Sequence, residues 1–123
     1  MLQSIQAFTP SLAQAWGLLA VAIALEVLGT TCMRLSAGFT QWLPSVVMFV
    51  SYALAFACNA LVVKTLDLGI TYAVWSGVGT VAAAIIGIVL FREPATALKM
   101  VFIGLIVIGV LGLHTVSRAQ AAG

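Results

Sequence analysis

The chain has 123 residues, 63% of them hydrophobic and only 7% charged, with a formal net charge of +2. A soluble domain carries about a quarter charged residues, so this composition excludes one and points to a membrane protein. Five basic residues scattered along the chain make no patch for a nucleic acid.

The first apolar run, 12–33, is long enough for about 30 Å of hydrocarbon at about 1.5 Å per residue. It starts after a mixed stretch with no Lys or Arg, and it is too long for the apolar core of a signal peptide. We therefore expect a retained membrane helix. Inside it sits Glu26, eight residues from Arg34, the nearest basic residue in sequence. Ala22 and Thr30 lie one turn to either side and Gly29 lies beside Thr30, so this face is small and faintly polar. A lone carboxylate in hydrocarbon costs several kcal/mol, which demands protonation, a cation or a functional cavity.

The link that follows, RLSAGFTQWLP, offers Gly38 for a turn and Pro44 to open the next helix. Trp42 stands where an interfacial anchor belongs. The second span, 43–63, presents Tyr52 and Asn59 on one face. The short KTLDLG link that follows it implies that the second and third spans are antiparallel neighbours. The third span, 70–91, places Tyr72, Trp75 and Gly79 on one face, with Ser76, Gly77 and Gly79 thinning its middle. Trp75 is either a pocket-lining residue or an interfacial anchor. Gly77 and Gly79 are either flexible points or packing contacts. The last span, 98–117, has Gly104, Gly109 and Gly112 among large aliphatics, with His114 near its end and a polar tail expected to be loose. Cys32 and Cys58 read as free thiols filling apolar runs.

The spans alternate direction, so Arg34, Arg92 and Lys99 share one face of the membrane and Lys64 and Arg118 the other. This near balance fits either a short protein with weak topology signals or a chain that inserts both ways up. No metalloprotease, dithiol, phosphate-loop or serine-hydrolase motif is present. One deep carboxyl without a nucleophile–base pair argues for binding a proton or a cation, with no metal and no cofactor. Four helices alone enclose little, whereas two oppositely inserted copies would bring two Glu26 carboxyls together, as inverted repeats do in larger transporters.

The segments ALEVLGTTCMRLSAGFTQWLPS (24–45) and GITYAVWSGVGT (69–80) resemble the small multidrug resistance transporters, and the resemblance runs from Trp16 to Arg118. It implies an all-α inner-membrane protein with four transmembrane helices per chain, working as an antiparallel dimer that exchanges protons for cationic compounds. On this resemblance Glu26 falls on the family's proton- and substrate-binding glutamate. Trp75 falls on the tryptophan that packs against substrate, and Tyr72 on a tyrosine that couples the two sides. Tyr52, Gly29 and Thr30 fall on pocket positions, with Ala22 beside them. Gly77 and Gly79 match the glycines of the helix bend. Gly109 matches one glycine of the family's dimer-packing face; Phe102 stands where the multidrug type has another glycine, and Gly104 is a substitute. Asp67-Leu68 replace the usual proline before Gly69.

The run EVLGTTCMRLSAGF is similar to the quaternary-ammonium type, whereas AAAIIGIVLFRE is more similar to guanidinium exporters, which usually carry a tryptophan at the position of Gly29. The expected function is proton-coupled export of hydrophobic or quaternary ammonium cations. The alternatives are a guanidinium exporter, a polyamine or metabolite exporter paired with a related small chain, and a non-transporting membrane subunit.

Overall fold

A computed structural model of the chain describes residues 8–122, with side chains through Gln120. Four helices account for most of it: α1 (Leu12–Leu35), α2 (Trp42–Val62), α3 (Leu68–Phe91) and α4 (Ala97–Ala122). Each is long and apolar enough to cross a membrane, with mean hydropathy over its most apolar stretch between 1.8 and 2.2. The described residues form no strand.

Local chemistry explains most of the boundaries. Ser11 and Gln14 form a reciprocal cap at the start of α1: the Ser11 Oγ accepts from the Gln14 N–H at 3.2 Å, and the Gln14 Oε1 accepts from the Ser11 N–H at 3.0 Å. After α1 the chain turns through Ala37, Gly38 and Phe39, all with positive φ. The buried Ser36 holds this turn, its hydroxyl donating to the Met33 carbonyl at 2.7 Å and accepting from the Phe39 N–H at 3.2 Å. Pro44 sits in the first turn of α2, where a missing N–H leaves no helical bond unmade. The tail expected to be loose instead continues α4 to Ala122. Its Arg, Gln and Ala residues are good helix formers, and that propensity outweighs their polarity.

α1 lies at the centre. It packs most extensively on α2 and also on α3, while α4 packs mainly on α3. The expectation that the second and third spans pack as neighbours is therefore corrected. The short link keeps their ends together, and beyond it they meet through side chains, with Phe56 on α2 at 5.4 Å from Trp75 on α3, while each backbone packs more closely on α1. Ala15, Leu19 and Ala22 on α1 are fully buried, and their small-to-medium size allows the close approach.

The two ends of the bundle differ. At one end Ala15, Leu19, Val62, Leu66, Ile70 and Val74 form a packed core. The α2–α3 link is pinned there to the segment before α1: the Lys64 Nζ donates to the Phe8 carbonyl at 2.8 Å and the Thr65 Oγ1 to that of Pro10 at 2.5 Å. At the other end α1 and α3 part. Only 6% of the most apolar stretch of α4 is buried within the chain, which leaves that helix to lipid or to another protein surface.

Candidate functional site

The parting of α1 and α3 opens a groove of about 1020 Å³. Glu26 and Thr30 line it from α1, and Ser76, Gly79, Thr80, Ala83 and Ala84 line it from α3. The α3 wall is a run of small side chains at helical spacing, which is why space remains. The hydroxyls of Ser76 and Thr80 bond back to the carbonyls of Tyr72 and Ser76, at 2.8 and 2.7 Å. Their hydrogens are thus taken up within their own helix.

The Glu26 carboxyl is held asymmetrically. Its Oε1 accepts from the Thr30 hydroxyl at 3.0 Å, and Thr30 Oγ1 lies 2.8 Å from the Tyr52 hydroxyl. With Thr30 donating to Glu26, Tyr52 completes a chain from phenol to hydroxyl to carboxylate. Oε2 is buried with no hydrogen-bond partner among the described residues. It rests on Gly79, where an added Cβ would stand 2.6 Å from it. A polar oxygen so placed is costly unless a proton or a cation joins it.

Each sequence-derived candidate has a place in this structure. Gly29 is buried against the ring of Tyr52, with three ring carbons 3.1–3.3 Å from an added Cβ. A side chain there would push the phenol away from Thr30. Ala22 is fully buried one turn below Glu26. Trp75 and Tyr72 lie edge to face at 6.1 Å, and the Trp75 Nε1 is buried without a hydrogen-bond partner among the described residues. Neither ring is part of the wall of the Glu26 groove, and Tyr72 is 64% exposed. Gly77 is a close approach between α3 and α4, where an added Cβ would come within 2.7 Å of Val110 Cγ2 and 3.3 Å of Ile106 Cγ2. α3 runs unbroken past both Gly77 and Gly79. Among the described residues Gly104 and Gly109 have nothing within 4 Å of an added Cβ, so each leaves an open notch on α4, the two pointing about 140° apart around the helix.

The groove also brings in residues that sequence reasoning passed over. Arg34 and Glu93 form an ion pair at 2.9 Å across its outer end, and Lys99 lies nearby. The residues pair across 59 positions of sequence, and the contact exists only because the end of α1 meets the turn after α3.

The glycines give a test that separates site from scaffold. Gly79→Ala improves helix propensity and meets only the flexible end of Glu26, so the fold should survive while the carboxyl is displaced. Binding of tetraphenylphosphonium should weaken roughly tenfold or more, as misplacing a working group by about 1 Å does elsewhere. Gly77→Ala should instead lower thermal stability, by about 1–3 kcal/mol, through overpacking against α4. Equilibrium binding and thermal unfolding in detergent check both.

Comparison with known proteins places this geometry. A family model described as Small Multidrug Resistance protein matches residues 14–106. The chain is 41% identical over 106 residues to the quaternary ammonium compound-resistance protein QacE of Escherichia coli, covering 86% of this chain and 96% of that protein. It is 39% identical over 103 residues to a guanidinium exporter of Yersinia pseudotuberculosis, covering 84% and 99%. It is also 39% identical over 107 residues to the uncharacterized membrane protein YvaE of Bacillus subtilis, covering 87% and 90%. The chain belongs to the small multidrug resistance family and is a multi-pass transport protein of the bacterial inner membrane.

Proposed function

We propose that the chain is a proton-coupled antiporter that exports hydrophobic or quaternary ammonium cations and works as an antiparallel homodimer. The observation that carries this reading is the Glu26 carboxyl in the groove, with one oxygen held by Thr30 and the other without a hydrogen-bond partner among the described residues. Such a group takes a proton or a cation, and the two compete for it. One end of the bundle is packed and the other is open, the asymmetry that alternating access requires of each half of a dimer.

In the dimer two Glu26 carboxyls share one site, so they load and release as a pair. The exposed Tyr72 and the half-buried Trp75 supply aromatic surface next to the partner chain, where a lipophilic cation stacks on the ring face. Two protons entering against one monovalent cation would make export electrogenic, each net charge contributing about 2.3 kcal/mol per 100 mV. Tyr72 links the occupancy of Glu26 to movement of α3 at Gly77 and Gly79. Gly109, with Gly104 as a second small position on another side of α4, leaves room for the helix to pack on its copy. The test is proton release: adding tetraphenylphosphonium to purified protein in weak buffer should acidify the medium. A non-transporting subunit would release nothing.

A second substrate reading, guanidinium, is favoured by the Thr30 and Tyr52 hydroxyls beside Glu26, because a small hydrated cation needs dense hydrogen bonding. Trp75→Ala separates the two. Lost stacking is worth about 0.5–2 kcal/mol, so aromatic cations should bind roughly 2–30-fold more weakly while guanidinium binding changes little. Equal losses for both cations would remove Trp75 from the site.

A further inference from the structure

Two cations, Arg34 and Lys99, and one anion, Glu93, line the open end of the groove. Glu26, Thr30 and Arg34 follow at four-residue intervals on one face of α1, so Arg34 stands about 12 Å along the helix from Glu26. Any cation drawn to Glu26 from this end passes the guanidinium first.

Several independent features hold the Glu93 carboxylate against that guanidinium. Arg92 adopts a left-handed conformation, φ 55°, which folds the chain back so that the Glu93 N–H donates to the Gly87 carbonyl at 3.0 Å. The returning carboxylate lies over Gly87, where any Cβ would collide with it. Arg34 donates to Glu93 Oε2 at 2.9 Å and is seated on the Phe91 ring, 4.9 Å from its centroid. The Lys99 Nζ turns away to the Pro94 carbonyl, at 3.1 Å. The paired side chains are 57% and 35% exposed, and so open an ion pair adds little to stability. Its consequence is electrostatic. A cleft with apolar walls focuses the field of the charges at its mouth and changes the local concentration of a charged solute.

We propose that Glu93 masks Arg34 so that cations pass the mouth of the groove, which makes Glu93 a specificity-determining residue for access to Glu26. Its consequence for transport rests on the exporter reading above, whereas the mask itself can be read without transport. Thr80→Cys, in a background with Cys32 and Cys58 replaced, puts a thiol on the groove wall. A trimethylammonium methanethiosulfonate and a neutral one then report the potential there as a ratio of modification rates. Glu93→Gln should lower the cationic-to-neutral ratio about threefold to tenfold at low ionic strength. The effect should fade towards about 1 M salt, where charges are screened within about 3 Å. Adding Arg34→Gln should restore the ratio, because it removes the charge that needed masking.

An unchanged ratio in Glu93→Gln would overturn the proposal. So would equal changes with both reagents, or failure of the double neutral variant to restore the ratio, since each describes a purely structural clasp. In transport, Glu93→Gln should raise the apparent KM for tetraphenylphosphonium and leave the maximal rate alone. If the wild type transports nothing, the exporter reading fails and the reactivity ratio still decides the role of Glu93.

Discussion

Glu26→Gln should abolish gradient-driven cation uptake while the protein still inserts, folds and pairs. Glutamine keeps the length of the side chain and an oxygen to accept from Thr30, so the local hydrogen bond survives. It loses the charge that attracts a cation and the site that carries a proton. The expected fall is to the background of empty liposomes, with circular dichroism and cross-linking unchanged. Glu26→Asp keeps the charge but is one methylene shorter, which withdraws the carboxyl from Thr30 and Gly79. It should retain cation binding and transport more slowly. Unchanged uptake by Glu26→Gln would remove the carboxyl from the mechanism.

Fixing the orientation of the chain should have the next largest effect. Arg34, Arg92 and Lys99 on one face stand against Lys64 and Arg118 on the other, close to balance. Two or three lysines added near Arg92 should drive that face to the cytoplasm. Activity should collapse, because chains inserted one way cannot form an antiparallel pair. Coexpression with a variant biased the opposite way, by lysines near Lys64 and the C-terminal end, should restore it. Cysteine accessibility at the end of α4, with Cys32 and Cys58 replaced, reads orientation directly. Labelling from both sides is the expected result. Labelling from one side with full activity, in cells lacking any related chain, would reject the antiparallel homodimer. One-sided labelling with activity only beside a second small chain would instead identify a heterodimer. Phe102 and Asp67, where this chain departs from the family pattern, would be the first positions to change.

The four spans were legible because apolar runs of that length have one common explanation, and the observed ends differ from the expected ones mainly where propensity continued a helix into polar residues. Glu26 stands out as a candidate for the same reason: a charge inside such a run is costly without a proton, a cation or a partner. Its contacts with Thr30 and Gly79 differ in kind. Thr30 is one turn away and could be read from spacing, whereas Gly79 needs the crossing of α1 and α3. Gly29 was visible as a small residue, but its work of seating the Tyr52 ring required α2 to be in place. The pairing of Arg34 with Glu93 is hidden in the sequence because it needs a left-handed residue at Arg92, a glycine cradle at Gly87 and the meeting of two segments far apart in the chain. The face shared by Tyr72, Trp75 and Gly79 was correct as helical geometry, yet only Gly79 reaches the groove within one chain.

The most direct test of the exchange at Glu26 uses liposomes holding this purified chain alone, with an acidic interior. Tetraphenylphosphonium, guanidinium and spermidine are compared side by side. Tetraphenylphosphonium should accumulate against its gradient as protons leave, with a protonophore abolishing the accumulation. If none of the three cations is taken up in response to the proton gradient, or if uptake persists when the gradient is collapsed, this chain is not a self-sufficient proton–cation exchanger.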